Sequence, residues 1–271
     1  MAVCNCSMKQ RLIGGFFVAF TTLIIFLAGG AVSAVILTLI SLAGIYELMK
    51  VYSLEKSPFA VVDYIATIVV YGLLLFDHGS LLLPVIILVI MLLLAGYVFL
   101  FPKYHDHDII NAFFSFFYIT ILLSYVYQVR ALESGLALSC FIIISSWGND
   151  VFAYFTGSAL GKHKFTPKIS PNKSVEGFIG GIIGAGVLGY LFAIVFKDSV
   201  PFSGLYCAIM AAVAAFPAVI GDLAASAIKR NHGIKDYSNL IPGHGGIVDR
   251  VDSVLFTAPI IYYLVVFFDA L

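Results

Sequence analysis

Charged side chains are scarce in this 271-residue chain: Asp, Glu, Lys and Arg make up 11% of it, while 61% is hydrophobic. An average soluble domain is about 25% charged and about 45–50% apolar, so a soluble globule of this size is excluded. Cysteine is sparse too, with four residues at 4, 6, 140 and 207. Two of them lie inside apolar stretches, and Cys4 and Cys6 have no second pair to complete a metal site. Neither a disulfide framework nor a zinc centre is indicated, and Cys4 and Cys6 read as part of a plain N-terminal tail. An excess of charge of either sign is also missing, because 15 Lys and Arg balance 15 Asp and Glu. The total charge therefore offers nothing to nucleic acid, and the positions of the charges carry the information instead. No Walker loop (GxxxxGK[ST]) is present, nor a Gly-x-Ser-x-Gly nucleophile turn. A literal GxGxxG does occur at Gly184, Gly186 and Gly189. It lies within an apolar run with no strand before it, so it reads as helix packing rather than dinucleotide binding.

Long apolar runs abound. Cut at glycines, prolines and charge clusters, they give about nine spans: 12–28, 31–49, 60–76, 81–101, 109–127, 135–157, 174–196, 202–228 and 246–268. About 20 apolar residues cross a bilayer as a helix. The sequence thus predicts an all-α polytopic integral membrane protein. Lys9 and Arg11 precede the first run as in a signal peptide, but apolar sequence continues through residue 49 with no convincing cleavage site, so the first helices are read as retained. Nine spans put the N-terminus and the loops after spans two, four, six and eight on one side, with 13 of the 15 basic residues; only Arg130 and Lys197 fall on the other. By the positive-inside rule the N-terminus is cytoplasmic. Residues 1–145 read as transmembrane scaffold and 146–271 as the catalytic region, the two forming one integrated membrane domain.

The polar groups of that second region form three clusters. Asp150, in Trp147-Gly-Asn-Asp150, stands well inside a span, where a carboxylate costs about 2.5–3.5 kcal/mol on insertion scales and so faces protein or a wet cavity. A structural partner on another helix is the alternative to a catalytic one. Next comes a loop with Lys162, Lys164, Lys168, Ser170, Lys173, Ser174 and Glu176, in which Pro167 and Pro171 forbid continuous helix. Ser174 and Glu176 suit a helix start, and lysines beside a helix N-terminus suit phosphate. A plain cytoplasmic loop obeying the positive-inside rule is the bland alternative. The third cluster runs from Asp222 through Ser226, Lys229 and Arg230 to Lys235, Asp236, His244, Asp249, Arg250 and Asp252. Asp222, Ser226, Lys229 and Arg230 share one helix stripe, and Asp249 and Asp252 are three residues apart at the start of the last span. Carboxylates suit hard Mg²⁺ better than soft zinc, and basic residues beside a carboxylate-held metal suit polyphosphate chemistry.

The string Ser226-x-Ile-Lys229-Arg230-x4-Lys235-Asp236-x-Ser238-x2-Ile241-Pro242-x-His244-Gly-Gly-Ile-x-Asp249-Arg250-Val-Asp252 resembles the signature of the phosphatidate cytidylyltransferase family, also called CDP-diacylglycerol synthases. Asp150…Ala153-Tyr154 and Ser170-Pro-x-Lys173-Ser174-x-Glu176-Gly177 resemble the family's upstream motifs. Ser174 stands where the family often has Thr, and Val151 follows Asp150 where a small hydroxyl residue is common. The resemblance is close over 147–252 and extends to the first half by hydropathy alone. It implies transfer of CMP from CTP to phosphatidate, with Mg²⁺ and room for a monovalent cation such as K⁺. By motif position Asp222 and Asp249 are then metal ligands, joined by Lys229 and Ser226 in the catalytic group. Lys168, Ser170, Lys173, Ser174, Glu176, Arg230, Lys235, Asp236, His244, Arg250, Asp252 and Asp150 are substrate-binding. A homodimer in a bacterial plasma membrane is the further expectation, with the glycine-rich span as a contact and the active site at the cytoplasmic face. An ion-coupled transporter is the rival from another class, but it predicts internal repeats that the halves lack. A CTP-dependent polyprenol or phytol kinase is a second rival. A CDP-alcohol phosphotransferase is excluded because its Asp-Gly-x2-Ala-Arg motif is absent.

Overall fold

A computed structural model describes residues 8–241 and 243–269; Cys4, Cys6 and Pro242 lie outside them. In lipid every backbone N–H and C=O must be satisfied within the segment, which leaves helix as the way across for apolar runs of this length. The described residues form α1 (Met8–Ala28), α2 (Gly30–Val51), α3 (Pro58–Leu75), α4 (Leu82–Leu100), α5 (Asp106–Ala131), α6 (Gly135–Leu160), α7 (Val175–Val195), α8 (Gly204–Asn231) and α9 (Val248–Asp269). Eight of these are long and apolar enough to cross a membrane, while the apolar part of α1, Leu12–Ala28, is shorter. Each of the nine expected spans coincides with one helix to within a few residues.

Local chemistry sets the ends. Ser57 caps α3 by accepting from the Ala60 N–H at 3.3 Å, with Pro58 in the first turn, where its missing N–H costs nothing. Ser203 caps α8 in the same way through Tyr206 N–H. Two helices carry a π-helical turn, Phe116–Ile121 in α5 and Ile144–Gly148 in α6. The second turn immediately precedes Asn149 and Asp150 and so sets where they point.

The chain divides into two compact units, one of Met1–Tyr127 with Ile234–Arg250, the other of Gln128–Gly233 with Val251–Leu271. In the first, α2, α3 and α5 pack with Ser41 Oγ 2.9 Å from Tyr71 Oη and Thr67 Oγ1 2.7 Å from Thr120 Oγ1. These paired hydroxyls satisfy one another away from water. In the second, the glycines of α7 are the packing device. A side chain at Gly181 would strike Asn149 and one at Gly184 would strike Phe152, while at Gly189 it would lie 2.7 Å from Ala211 Cβ. The glycine face of α7 is thus used against α6 and α8 within the chain.

One local expectation needed refinement. The proline-containing loop after α6 is a two-stranded antiparallel hairpin, β1 (Lys164–Thr166) and β2 (Ser170–Ser174), with Lys164 opposite Ser174 and Thr166 opposite Ser170. Pro171 is tolerated because both strands are edges and need not donate on their outer sides.

Candidate active site

In the second unit the hairpin positions a lysine against an acid. Its base is tied to the start of α7. Val175 N–H donates to His163 O at 2.9 Å, His163 Nδ1 lies 2.6 Å from Glu176 Oε1, and Ser174 Oγ accepts from Gly177 N–H at 3.1 Å. Phe165 of β1 stacks on Phe178 of α7 with ring centroids 4.9 Å apart, so one face of the hairpin is held by apolar contact. β2 then delivers Lys173, whose Nζ is 2.6 Å from Asp222 Oδ2 on α8. Ser226, one turn further along α8, donates to Asp222 Oδ1 at 3.4 Å, as the stripe on that helix anticipates. The same stripe carries Lys229, which is buried, and then Arg230, which is exposed.

Asp150, Ser170, Lys173 and Ser174 line one cavity of about 460 Å³, together with Asn149, Tyr154 and Phe178. Four residues chosen from sequence motifs therefore meet in one concavity, and Lys173 links it to Asp222. Glu176 is engaged by His163 at the hairpin base, and Lys168 lies exposed between the strands. Beside Asp222, Gly221 marks a close crossing with α9: a Cβ there would sit 2.5 Å from the Asp252 carbonyl oxygen and 2.7 Å from the Phe256 ring. Asp252 is buried, and its Oδ1 accepts from the Ser253 N–H at 2.7 Å.

In the first unit, the segment from Ile234 to Arg250 folds around Asp249. This residue is 7% exposed, and its Oδ2 accepts from Tyr237 N–H at 3.0 Å and Gly246 N–H at 2.9 Å. A tight turn precedes it, closed by Ile241 N–H donating to Gly245 O. Gly245 has φ +80°, which a side chain would strain. His244 packs toward α1, where a Cβ on Gly15 would lie 3.4 Å from His244 Nε2. Lys235 and Asp236 are exposed at the start of this segment.

Sequence reasoning missed one residue of this segment's framework. Glu47 on α2 is 2% exposed and accepts from Ser238 Oγ at 2.5 Å, Ile247 N–H at 2.9 Å and Val248 N–H at 2.9 Å. An acid one turn from the end of an apolar span was the available signal. Its partners, about 190 to 200 residues away, were not visible.

Asp222 and Asp249 both offer oxygen, the donor type a hard cation prefers, and among the described residues no three His, Cys, Asp or Glu side chains gather into a cage. The carboxylate oxygens of either residue suit Mg²⁺, which usually keeps waters and binds through one or two carboxylates plus substrate phosphates.

Apolar helices of crossing length define an integral membrane protein, and a lysine–aspartate pair beside a cavity gives its second unit a polar site. Residues 9–268 match the model of the Cytidylyltransferase family, and the chain belongs to that family. It is 32% identical to the phosphatidate cytidylyltransferase of Bacillus subtilis over 270 residues, 97% of this chain and 99% of the relative. It is 31% identical to the phosphatidate cytidylyltransferase of Thermotoga maritima over 265 residues, 94% of this chain and 95% of that one. A segment of 137 residues is 43% identical to the enzyme of the same name from Haemophilus influenzae, 49% of this chain and 47% of the relative.

Proposed function

We infer that the protein is a phosphatidate cytidylyltransferase, joining CTP and phosphatidate to give CDP-diacylglycerol and pyrophosphate. The observation that carries the reading is the Lys173–Asp222 contact beside the cavity, found in a chain that aligns almost end to end with two bacterial enzymes of that name. A phosphate oxygen of phosphatidate attacks the α-phosphorus of CTP, the bond from that phosphorus to the bridging oxygen breaks, and pyrophosphate leaves. The second pKa of a phosphate monoester is about 6, so the nucleophile is largely ionised at neutral pH and needs no general base. What opposes the reaction is repulsion between two anions, so the protein's part is positioning and charge neutralisation.

Lys173, Lys168 and Lys229 would bind phosphate oxygens, with Arg230, Lys235 and Arg250 adding positive charge. Ser170 and Ser174 would donate hydroxyls, Asp150 and Asp252 would orient substrate groups, and Glu176, through His163, would keep the hairpin in place. Asp236 and His244 complete the proposed substrate-binding set, and Ser226 steadies Asp222. Asp222 and Asp249 are the proposed ligands of Mg²⁺, which when bound would neutralise part of the triphosphate charge; a monovalent cation such as K⁺ is the proposed auxiliary. The diacyl tails would remain in lipid while CTP arrives from water. Because 13 of the 15 Lys and Arg fall on one side of the predicted spans, we assign that side, the N-terminus and the active site to the cytoplasmic face of a bacterial plasma membrane. A homodimer, with the glycine-rich α7 as a contact, is the proposed assembly.

The test is purified protein in detergent with labelled CTP. Labelled CDP-lipid should form when phosphatidate and Mg²⁺ are both supplied and not when either is left out. A fully folded preparation yielding none would overturn the reading.

A further inference from the structure

We propose that Glu47 is a positioning residue for the active site: from the otherwise scaffold-like first half of the chain, it sets the loop that aims the Asp249 carboxylate. The proposal rests on the phosphatidate cytidylyltransferase reading and on Asp249 as a metal ligand. Glu47 lies in the last full turn of α2, is 2% exposed, and has neutral donors as partners. Its Oε1 accepts from Ser238 Oγ and Ile247 N–H, and its Oε2 accepts from Val248 N–H. Val248 is the first residue of α9, so the carboxylate sits against a helix N-terminus, where unpaired amides and the helix dipole stabilise negative charge. The buried acid thus satisfies donors that the start of α9 leaves over.

The two carboxylates grip neighbouring residues of the same loop. Asp249 holds the amides of Tyr237 and Gly246, while Glu47 holds Ser238, Ile247 and Val248. Both ends of the loop are therefore clamped twice, at adjacent positions. Moving residues 246–248 moves an amide that orients Asp249, and that movement is what Glu47 prevents. Gly246 records the same contact from the other side: a Cβ there would lie 2.5 Å from Glu47 Oε2 and 2.7 Å from Oε1. A side chain at 246 would thus displace the Glu47 carboxylate, whereas Gly245 is favoured by its left-handed backbone.

A passive tether and a positioning residue differ in what their loss does to metal binding by folded protein. Outer partners that orient a ligand typically cost 10- to 100-fold in metal affinity when removed. The experiment measures Mn²⁺ binding by electron paramagnetic resonance on the full-length protein in detergent, alongside thermal unfolding and CDP-lipid formation. Glu47→Ala should weaken Mn²⁺ binding on the order of tenfold or more. Glu47→Gln, which keeps the volume and one acceptor oxygen, should show a smaller loss of about fivefold, with KM for phosphatidate within about twofold of wild type. If Glu47→Ala does not fold, Glu47→Gln decides the matter alone. Mn²⁺ affinity within twofold of wild type in folded Glu47 variants overturns the proposal, as does a wild type that binds no Mn²⁺. Wild type that fails to make CDP-lipid removes the functional reading itself, whereas active wild type with unaltered metal affinity in the variants removes the role of Glu47 alone.

Discussion

Replacing Lys173 by Met removes the cation 2.6 Å from Asp222 Oδ2 while keeping most of the side-chain volume. Two unit charges at that separation attract by about 1.6 kcal/mol at a dielectric constant near 80 and about 6 kcal/mol near 20. The side chains are 26% and 31% exposed, so water and lost side-chain freedom offset most of that gross attraction, and the expected loss of folding stability is about 1 kcal/mol. Turnover should suffer far more, by about 100-fold or beyond, because a lysine in the proposed phosphate-binding role acts on developing charge in the transition state. The inverted protein, Lys173→Asp with Asp222→Lys, separates the two effects. Attraction across the contact is restored and thermal stability should return toward wild type, yet the hairpin now presents an acid to the triphosphate and α8 has lost its proposed metal ligand. CDP-lipid formation should stay below about 1% of wild type, the loss expected when a charge-stabilising group is removed. The assay is conversion of labelled CTP in detergent, with unfolding followed by fluorescence on the same samples. Recovery of turnover to within tenfold in the inverted protein would refute the reasoning, since the contact would then serve packing alone.

Asp249→Asn should keep the loop, because an amide oxygen can still accept from Tyr237 and Gly246, and should lose turnover by about 100-fold or more, comparable to the loss of a charge-stabilising group. Asp249→Ala should in addition lower stability by about 2–4 kcal/mol, since two buried amides lose their acceptor; unfolding curves of the two variants check the difference. Gly221→Ala should destabilise by about 1–3 kcal/mol through overpacking against Asp252 and Phe256, read as a lower thermal midpoint. Ser174→Ala removes the cap of α7 and should cost about 1 kcal/mol, measured by unfolding. Chelation of divalent cations should abolish CDP-lipid formation, and added Mg²⁺ should restore it.

What was legible in the sequence follows the range of the interactions. The helices were readable because an apolar run across lipid has one dominant way to satisfy its backbone. The Ser226–Asp222 contact was readable because residues four apart on a helix are neighbours. The hairpin was harder: its strands are three and five residues long, carry no alternating pattern and contain a proline. The prolines at 167 and 171 correctly excluded helix there, but they said nothing about which residues pair. Lys173 was chosen for its motif, while its contact with Asp222 depends on how the hairpin folds back onto α8. Glu47 illustrates the opposite limit. Amid apolar neighbours it looked like scaffold, and its three donors come from a segment about 190 to 200 positions later in the chain.

The clamp on residues 237–248 has a consequence for engineering. Its shape is written partly in α2, so the signature string is not a portable cassette: grafted onto another scaffold, or expressed without the first helices, it would keep its spelling and lose its grip. Exchanging the later half for that of a relative would part Ser238, Ile247 and Val248 from the acid on α2 that holds them here.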